Sequence, residues 1–311
     1  RILERSKKLM KKVVAYAAGV PSPHKNEQKV LILKNFIEGV SAKGDNGILY
    51  KGKVVDTTAD LAVIQGWVHS GSPNTPHLVL RKNVFEKSKN TIIVDSNLFN
   101  YNLGKDHHLQ YLRYSMNGVF PTTGNYFDRV PDMNRWKQIS NDLQLKIKPW
   151  RSSGEHILIP TQRNGGWSMQ GLSVTDWLDK TIGEIRQYSD RPIVVRGHPG
   201  DKEKHRYLKR DARYTLSRNP NIQDDLINAW ATVTYNSSPG VASAIEGIPV
   251  FVTDPNPAAS QAHDVANTNL ATLENPATFE RDYWLAKLSM SHWKFSELKD
   301  GTAWQHMRKF L

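Results

Sequence analysis

Apolar residues in this chain fall into short, almost unbroken runs, separated by stretches where they recur every three or four positions. Unbroken runs of this length read as strands buried on both faces, because a half-exposed strand would alternate. In the first half they cover Lys12–Ala18, Leu61–Trp67 and Thr91–Asp95. Between them, Asn26–Val40 sets Val30, Leu33 and Ile37 at helical spacing with Phe36 alongside, and Pro76–Glu86 reads as a second helix. Residues 97–132 are aromatic, polar and irregular, which predicts long functional loops. A second series then runs strand His156–Pro160, helix Val174–Tyr188, strand Ile193–Arg196 and helix Ile222–Ala229. It continues with strand Thr232–Tyr235, helix Gly240–Ile245 and strand Val250–Thr253. Two helical stretches close the chain, Phe279–Trp293 and Ser296–Phe310.

Alternating strands and helices predict an α/β protein with parallel sheets and helices on both faces. Lys146–Gly154 breaks the pattern and reads as an interdomain linker. The expected organisation is two Rossmann-like domains facing each other across a cleft, residues 10–148 and 149–278. Residues 279–311 are expected to form helices that pack back toward the first domain. Residues 1–9 are basic and non-periodic, and are expected to be an appended scar, with Met10 as the natural start.

Charge changes the picture more than size does. Lys and Arg exceed Asp and Glu by enough to give a formal net charge of +12 over 311 residues. Such a balance favours polyanionic partners such as DNA, RNA, anionic lipid or nucleotide-linked substrates, against the plainer reading of a solubilising surface. The absence of cysteine excludes disulfides, thiolate metal sites and cysteine nucleophiles. No apolar run approaches the ~18 residues of a membrane span and no secretory pattern opens the chain, so a cytoplasmic protein with no membrane partner is expected.

Three strand ends carry the candidate chemistry. Arg196-Gly-His-Pro199 ends one strand; Arg196 and His198 can donate to a phosphate or ribose, while Gly197 admits a ligand to the backbone and Pro199 fixes the turn. Tyr235-Asn-Ser-Ser-Pro-Gly240 ends the next and opens a small-residue helix, with Ser237 or Ser238 as its cap and N–H groups directed at an anion. Pro160-Thr-Gln-Arg-Asn-Gly-Gly-Trp167 supplies Gln162, Arg163 and Gly165 in a flexible polar loop suited to closing over a diphosphate. Ligands of open α/β sheets bind where such turns cluster. The run Lys202, Lys204, Arg206, Lys209 and Arg210, interleaved with Tyr207 and Tyr214, is either a nucleic-acid contact or a solvated face. His107-His108 is a poor metal site, since adjacent histidines diverge and no partner lies at ligand spacing.

The His-Pro turn, the Ser-Ser turn and the phrase Glu246-Gly-Ile-Pro-Val250 resemble GT-B glycosyltransferases of the capsule Kdo-transferase and bacterial sialyltransferase type, over residues 156–255. The resemblance implies that His198, Pro199, Ser237 and Ser238 hold the phosphate and nucleoside of a sugar nucleotide, with Glu246 at the ribose. It also implies that the loop after Gly19, through Lys25, faces the cleft, and that no bound metal is required. An inverting transfer needs a general base, for which Asp95 at a strand end is the candidate, with Asp56 and His24 as competitors. Ala262-His-Asp-Val-Ala-Asn267, Glu274-Asn-Pro276 and the Trp-rich tail resemble phage proteins that glycosylate 5-hydroxymethylpyrimidine DNA, including the TET-associated group. That resemblance implies a UDP-sugar donor such as UDP-glucose, no permanently bound cofactor, double-stranded DNA carrying 5-hydroxymethylcytosine or hydroxymethyluracil as partner with Lys25 and the basic run contacting it, and a monomer or weak oligomer. A capsule or envelope transferase using a CMP- or UDP-sugar, and a non-catalytic nucleic-acid-binding protein on the same fold, are the alternatives.

Overall fold

A computed structural model describes residues 9–18, 23–66, 76–99, 111–119 and 130–311, with residues 23–29, 77 and 167 described through their backbone alone. Two six-stranded sheets organise it. The first contains β1 (Lys12–Tyr16), β2 (Asn46–Tyr50), β3 (Leu61–Gln65), β4 (Thr91–Asp95) and β5 (Tyr111–Met116), and is completed by β12 (His292–Lys294) in the order β12-β5-β4-β3-β1-β2. Strands β1 to β4 are parallel, β5 runs antiparallel to β4, and β12 antiparallel to β5. The second contains β6 (His156–Pro160), β7 (Ile193–Arg196), β8 (Thr215–Leu216), β9 (Ala229–Thr234), β10 (Val250–Val252) and β11 (Ala266–Asn267), all parallel, in the order β11-β10-β9-β6-β7-β8.

Strand side chains alternate between two cores, which is why the apolar runs are unbroken. Val13, Ala15, Leu61, Val63, Ile92 and Val94 face α1 (Pro23–Ala42), while Val14, Tyr16, Ala62, Ile64 and Ile93 face α2 (Pro76–Lys87). Each such buried aliphatic side chain stabilises by about 1.5–3 kcal/mol relative to exposure. In the second domain Ile157, Ile159, Val195, Val233 and Phe251 pack against α4 (Val174–Ile185), whose first turn is capped by Ser173 Oγ accepting from Asp176 N at 3.0 Å.

Residues 292–307 belong to the first sheet's layer. β12 adds an edge, and α9 (Phe295–Lys299) and α10 (Thr302–Met307) lie along α1. The approach to α9 is so close that a Cβ on Gly39 would stand 1.8 Å from the Leu298 carbonyl oxygen, so only glycine fits. Asp45, just beyond α1, accepts from Trp304 Nε1 at 2.8 Å and Arg308 Nε at 2.7 Å. The expected helix Phe279–Trp293 is therefore shorter, as α8 (Asp282–Ser289), and gives way to a strand. The expected helix Ser296–Phe310 breaks at Gly301, whose φ is +80°.

Between the domains, Leu98 and Phe99 pack with Trp136 and Ile139 of α3 (Met133–Asp142), with Val241 and Ile245 of α7 (Pro239–Ile245), and with Leu285 of α8. Gln261 Nε2 donates to the Val119 carbonyl at 3.0 Å across the same boundary. The segment expected to be a linker is tied down, Lys148 N donating to Ile245 O and Arg151 N to Gly247 O. Among the described residues no helix is long and apolar enough to cross a membrane.

Candidate functional site

β9, β6 and β7 are neighbours in the second sheet, so the loops leaving their carboxyl ends are neighbours too. The turn after β7 is shaped by His198, whose Nδ1 accepts from Gly200 N at 3.0 Å. In the neutral ring that bond places the proton on Nε2, which remains a donor. Burial, with the nearby Arg163 charge, pushes the His198 imidazole below its usual range, so it presents a neutral N–H at pH 7. Arg163, from the loop after β6, lies against this turn: a Cβ on Gly200 would meet Arg163 Nη2 at 2.4 Å and His198 Cε1 at 3.2 Å. Asp201 joins the same two loops by accepting from Asn164 N at 3.1 Å, and Asn164 Oδ1 accepts from Val174 N at 3.0 Å. Gly165, with φ +65°, makes that loop's bend.

Beneath these turns lies a buried polar relay. Gln162 Nε2 donates to Asn236 Oδ1 at 2.8 Å and to Ser168 Oγ at 2.6 Å. Asn236 Nδ2 donates in turn to Asp254 Oδ2 at 2.7 Å and to the Ser168 carbonyl at 3.1 Å. The Asp254 Oδ1 atom accepts from Asn256 N at 2.8 Å. Thus the third loop, after β9, is locked to the first and to the strand end of β10. Sequence reading missed Asn236, Ser168 and Asp254, although an Asp directly after Val250–Thr253 was a visible signal at a fourth strand end.

The serines behave differently from the expected caps. Ser238 occupies the N-cap of α7, but its backbone is helical and its hydroxyl makes no capping bond; Gly240 N and Val241 N are satisfied instead by the Ser237 and Ser238 carbonyls. Ser237 Oγ is buried without a hydrogen-bond partner among the described residues. Both hydroxyls are consequently uncommitted to the helix. Gly240 is buried, with Val250 and Ala262 within 3.2 Å of where a Cβ would stand, so it serves packing.

Several expected ligands are placed elsewhere. The Arg196 guanidinium is turned away into its own domain, donating to Asp225 Oδ2 at 2.6 Å and to the carbonyls of Asn219, Pro220 and Asn221. Tyr235 points into the core, edge-on to Trp177 at 6.2 Å. Glu246 follows α7 at its carboxyl end, about 10 Å of helix away from the Ser-Ser turn, and is paired with Lys148. Pro199 is exposed on the turn.

In the first domain Asp95 sits at the end of β4 and is paired with the buried Arg113 at 2.8 Å, its Oδ1 accepting from Ser96 N. Asp56 is held to about 2 by Lys12 and Thr58, in a surface cluster with Lys12 at 2.7 Å. Gly19, the side chains of His24 and Lys25, and His107-His108 lie outside the described residues. Among the described residues no group of three His, Asp or Glu side chains could hold a metal ion.

The basic run borders the site. Lys204 Nζ donates to the His198 carbonyl at 3.2 Å from α5 (Lys204–Tyr207), while Lys202, Arg206, Lys209 and Arg210 are exposed. Arg206 is matched by Glu203 at 2.5 Å. A groove of about 930 Å³ lies apart from the strand ends, along β7 and β8, lined by Arg186, Arg210, Arg213, Tyr214, Asp224 and others. Asp211 and Asp179 pair with its Arg213 at 2.7 Å each, and Arg163, His198 and Ser237 are not among its lining residues.

Two Rossmann-like sheets with such a site at the carboxyl edge of the second define the GT-B fold. No family model and no curated protein matches the sequence. Among solved structures the chain is similar to the beta Kdo 2,4 transferase of KpsC from Thermosulfurimonas dismutans, with 16% identity and a TM-score of 0.58 over 91% of this chain and 90% of that one. It is also similar to the beta Kdo 2,7 transferase of that KpsC, with 13% identity and a TM-score of 0.49 over 95% and 99%. The first of these likenesses, at 16% identity, establishes the fold alone.

Proposed function

We propose that this chain is a glycosyltransferase that takes a sugar from a nucleotide donor, with the donor phosphates at the Arg163–His198–Ser237 strand-end cluster. The observation that carries the reading is a guanidinium and a neutral imidazole N–H meeting at the turn after β7, with uncommitted serine hydroxyls on the loop after β9, the strand flanking β6 on its other side. Such donors stabilise negative charge as it develops on the departing phosphate. The acceptor hydroxyl attacks the anomeric carbon, the bond to the phosphate oxygen breaks, and its electron pair leaves with the nucleotide. The hydroxyl proton passes to a base, for which Asp95 is the candidate.

For the acceptor we propose the hydroxymethyl group of 5-hydroxymethylcytosine or hydroxymethyluracil in DNA, with a UDP-sugar such as UDP-glucose as donor. The net charge of +12 and the exposed Lys202, Arg206, Lys209 and Arg210 beside the His198 turn support a polyanionic partner. The target base then leaves the stack to reach an enclosed centre. The second reading is a glycan acceptor with a CMP- or UDP-sugar, favoured by the near full-length likeness to a chain described as a Kdo transferase. Incubation with panels of UDP- and CMP-sugars, plus hydroxymethylated or unmodified DNA, followed by nucleoside mass spectrometry, separates them. Sugar mass on hydroxymethylated DNA alone is the expected result. No addition on any hydroxymethylated DNA refutes the acceptor assignment, and donor turnover with a glycan supports the second reading.

A further inference from the structure

The relay under the site fixes the orientation of an amide, and that orientation says what Gln162 can bind. The Ser168 carbonyl only accepts, so the group Asn236 turns toward it, at 3.1 Å, has to be Nδ2. Asn236 Oδ1 therefore faces Gln162, and Gln162 answers with Nε2 at 2.8 Å, which also serves Ser168 Oγ. What remains is Gln162 Oε1, a buried acceptor with no hydrogen-bond partner among the described residues, on a side chain only 7% exposed. Arg163, Asn164 and Gly165 immediately after it are exposed, so this acceptor lies one residue beneath the surface of the donor-side loop. Asp254 and Asn236, at 4% and 3% exposure, prevent the amide from turning over.

The doubly esterified diphosphate of a nucleotide sugar is fully ionised at neutral pH and offers acceptors but no O–H or N–H, so it cannot satisfy Oε1. We infer that Gln162 Oε1 is a specificity-determining acceptor for a hydrogen-bond-donating group of the nucleotide sugar, a hydroxyl or a base N–H, and that Gln162 is not a diphosphate ligand. This rests on the donor-site reading above and narrows it: within the loop, Arg163 takes charge and Gln162 reads a neutral polar group. Leaving a buried acceptor unpaired is costly, and a site that satisfies it only with the correct ligand discriminates against analogues lacking that group.

The test is calorimetric titration of wild type and Gln162→Met with pyrophosphate, UDP, CMP, UDP-glucose and a CMP-linked sugar. Methionine keeps the length of the side chain and removes its polar atoms. The expected result is unchanged affinity for pyrophosphate, which doubles as the check on folding, and a loss of tenfold or more for the ligand carrying the recognised group. A loss already present with UDP or CMP assigns the group to the nucleoside; a loss confined to the sugar-linked forms assigns it to the transferred sugar. Equal loss for pyrophosphate and every other ligand overturns the inference, as does unchanged affinity throughout, the result an internal water on Oε1 gives. Asn236→Leu, which frees the amide to turn, is expected to reproduce the selective loss, and its failure to do so counts against the relay. Wild-type protein that binds none of the probes refutes the donor site itself, whereas binding that Gln162→Met leaves intact refutes only this inference.

Discussion

Replacing Arg196 by methionine separates a structural arginine from a phosphate-binding one. Its guanidinium is 12% exposed and its partner Asp225 only 2%, and the pair is 2.6 Å apart. The same head group donates to Asn219 O at 2.9 Å, Asn221 O at 3.3 Å and Pro220 O at 2.9 Å, closing the loop between β8 and α6 (Ile222–Leu226). Breaking a buried pair from one side costs about 3–5 kcal/mol. Asp225 keeps Ser217 Oγ and Asn219 Nδ2 as donors, each at 2.7 Å, which argues for the lower end, about 3 kcal/mol. In a chain of 311 residues that lowers Tm by roughly 5 °C. Arg196→Lys, retaining one donor position of the fork, is expected to recover about half of the loss. Thermal unfolding followed by tryptophan fluorescence measures the stability, and calorimetry well below Tm measures donor affinity, which should stay within twofold of wild type. A variant with wild-type Tm and abolished donor affinity refutes the reasoning, because it would mean the guanidinium works on the ligand.

Ser237→Ala is expected to weaken donor binding by about tenfold or more while leaving Tm unchanged or slightly higher, because the deleted hydroxyl is buried without a partner among the described residues; a drop in Tm with intact binding contradicts it. His198→Ala should cost at least as much donor affinity by the same titration, through loss of Nε2–H and of the Gly200 turn bond. His292 is buried, with its imidazole pushed down to about 3 by burial and by Arg113 and Arg135. The unfolded chain therefore binds a proton below about pH 6.5 that the folded one refuses, and stability falls as pH drops, by about 2 kcal/mol at pH 5. Urea midpoints at pH 7, 6 and 5 should fall less steeply in His292→Gln than in wild type, and parallel slopes contradict the assignment. Replacing Lys202, Lys204, Arg206, Lys209 and Arg210 by Gln should lower the slope of log affinity for DNA against log salt by about 0.9 for each phosphate that is no longer neutralised, and an unchanged slope places the DNA elsewhere.

The strands that the sequence announces are those buried on both faces. Thr91–Asp95 and Leu61–Gln65 are unbroken apolar runs because each face meets a helix layer. β5 is hidden by its own chemistry: Arg113 and Ser115 are buried there, with Arg113 neutralised by Asp95, so no apolar pattern shows. β12 is three residues long and exists through pairing with a strand some 180 positions earlier, which no local period encodes. The same holds at the site. Arg163, His198 and Ser237 were legible as turn residues at strand ends, but the direction of Arg196 was not, because its acceptors are carbonyls some 25 positions away. Asn236 and Asp254 lay in view as residues, and only the fold joins them to Gln162.

Where residues 292–307 end up has a consequence for how the chain can be made. β1 to β4 and α1 emerge early in synthesis, yet the face of α1 that carries Phe36 and Val40 is roofed by Leu298, Ala303 and Trp304. Until those arrive, the first domain has an open sheet edge at β5 and a bare apolar stripe on α1, both of which invite wrong partners. The second domain waits less, since β6 to β11 follow one another closely in sequence and α8, which packs on α7, comes soon after. Order of synthesis and order of completion are thus reversed: the domain translated first is finished last, and the carboxyl-terminal strand and helices act as its closing stitch.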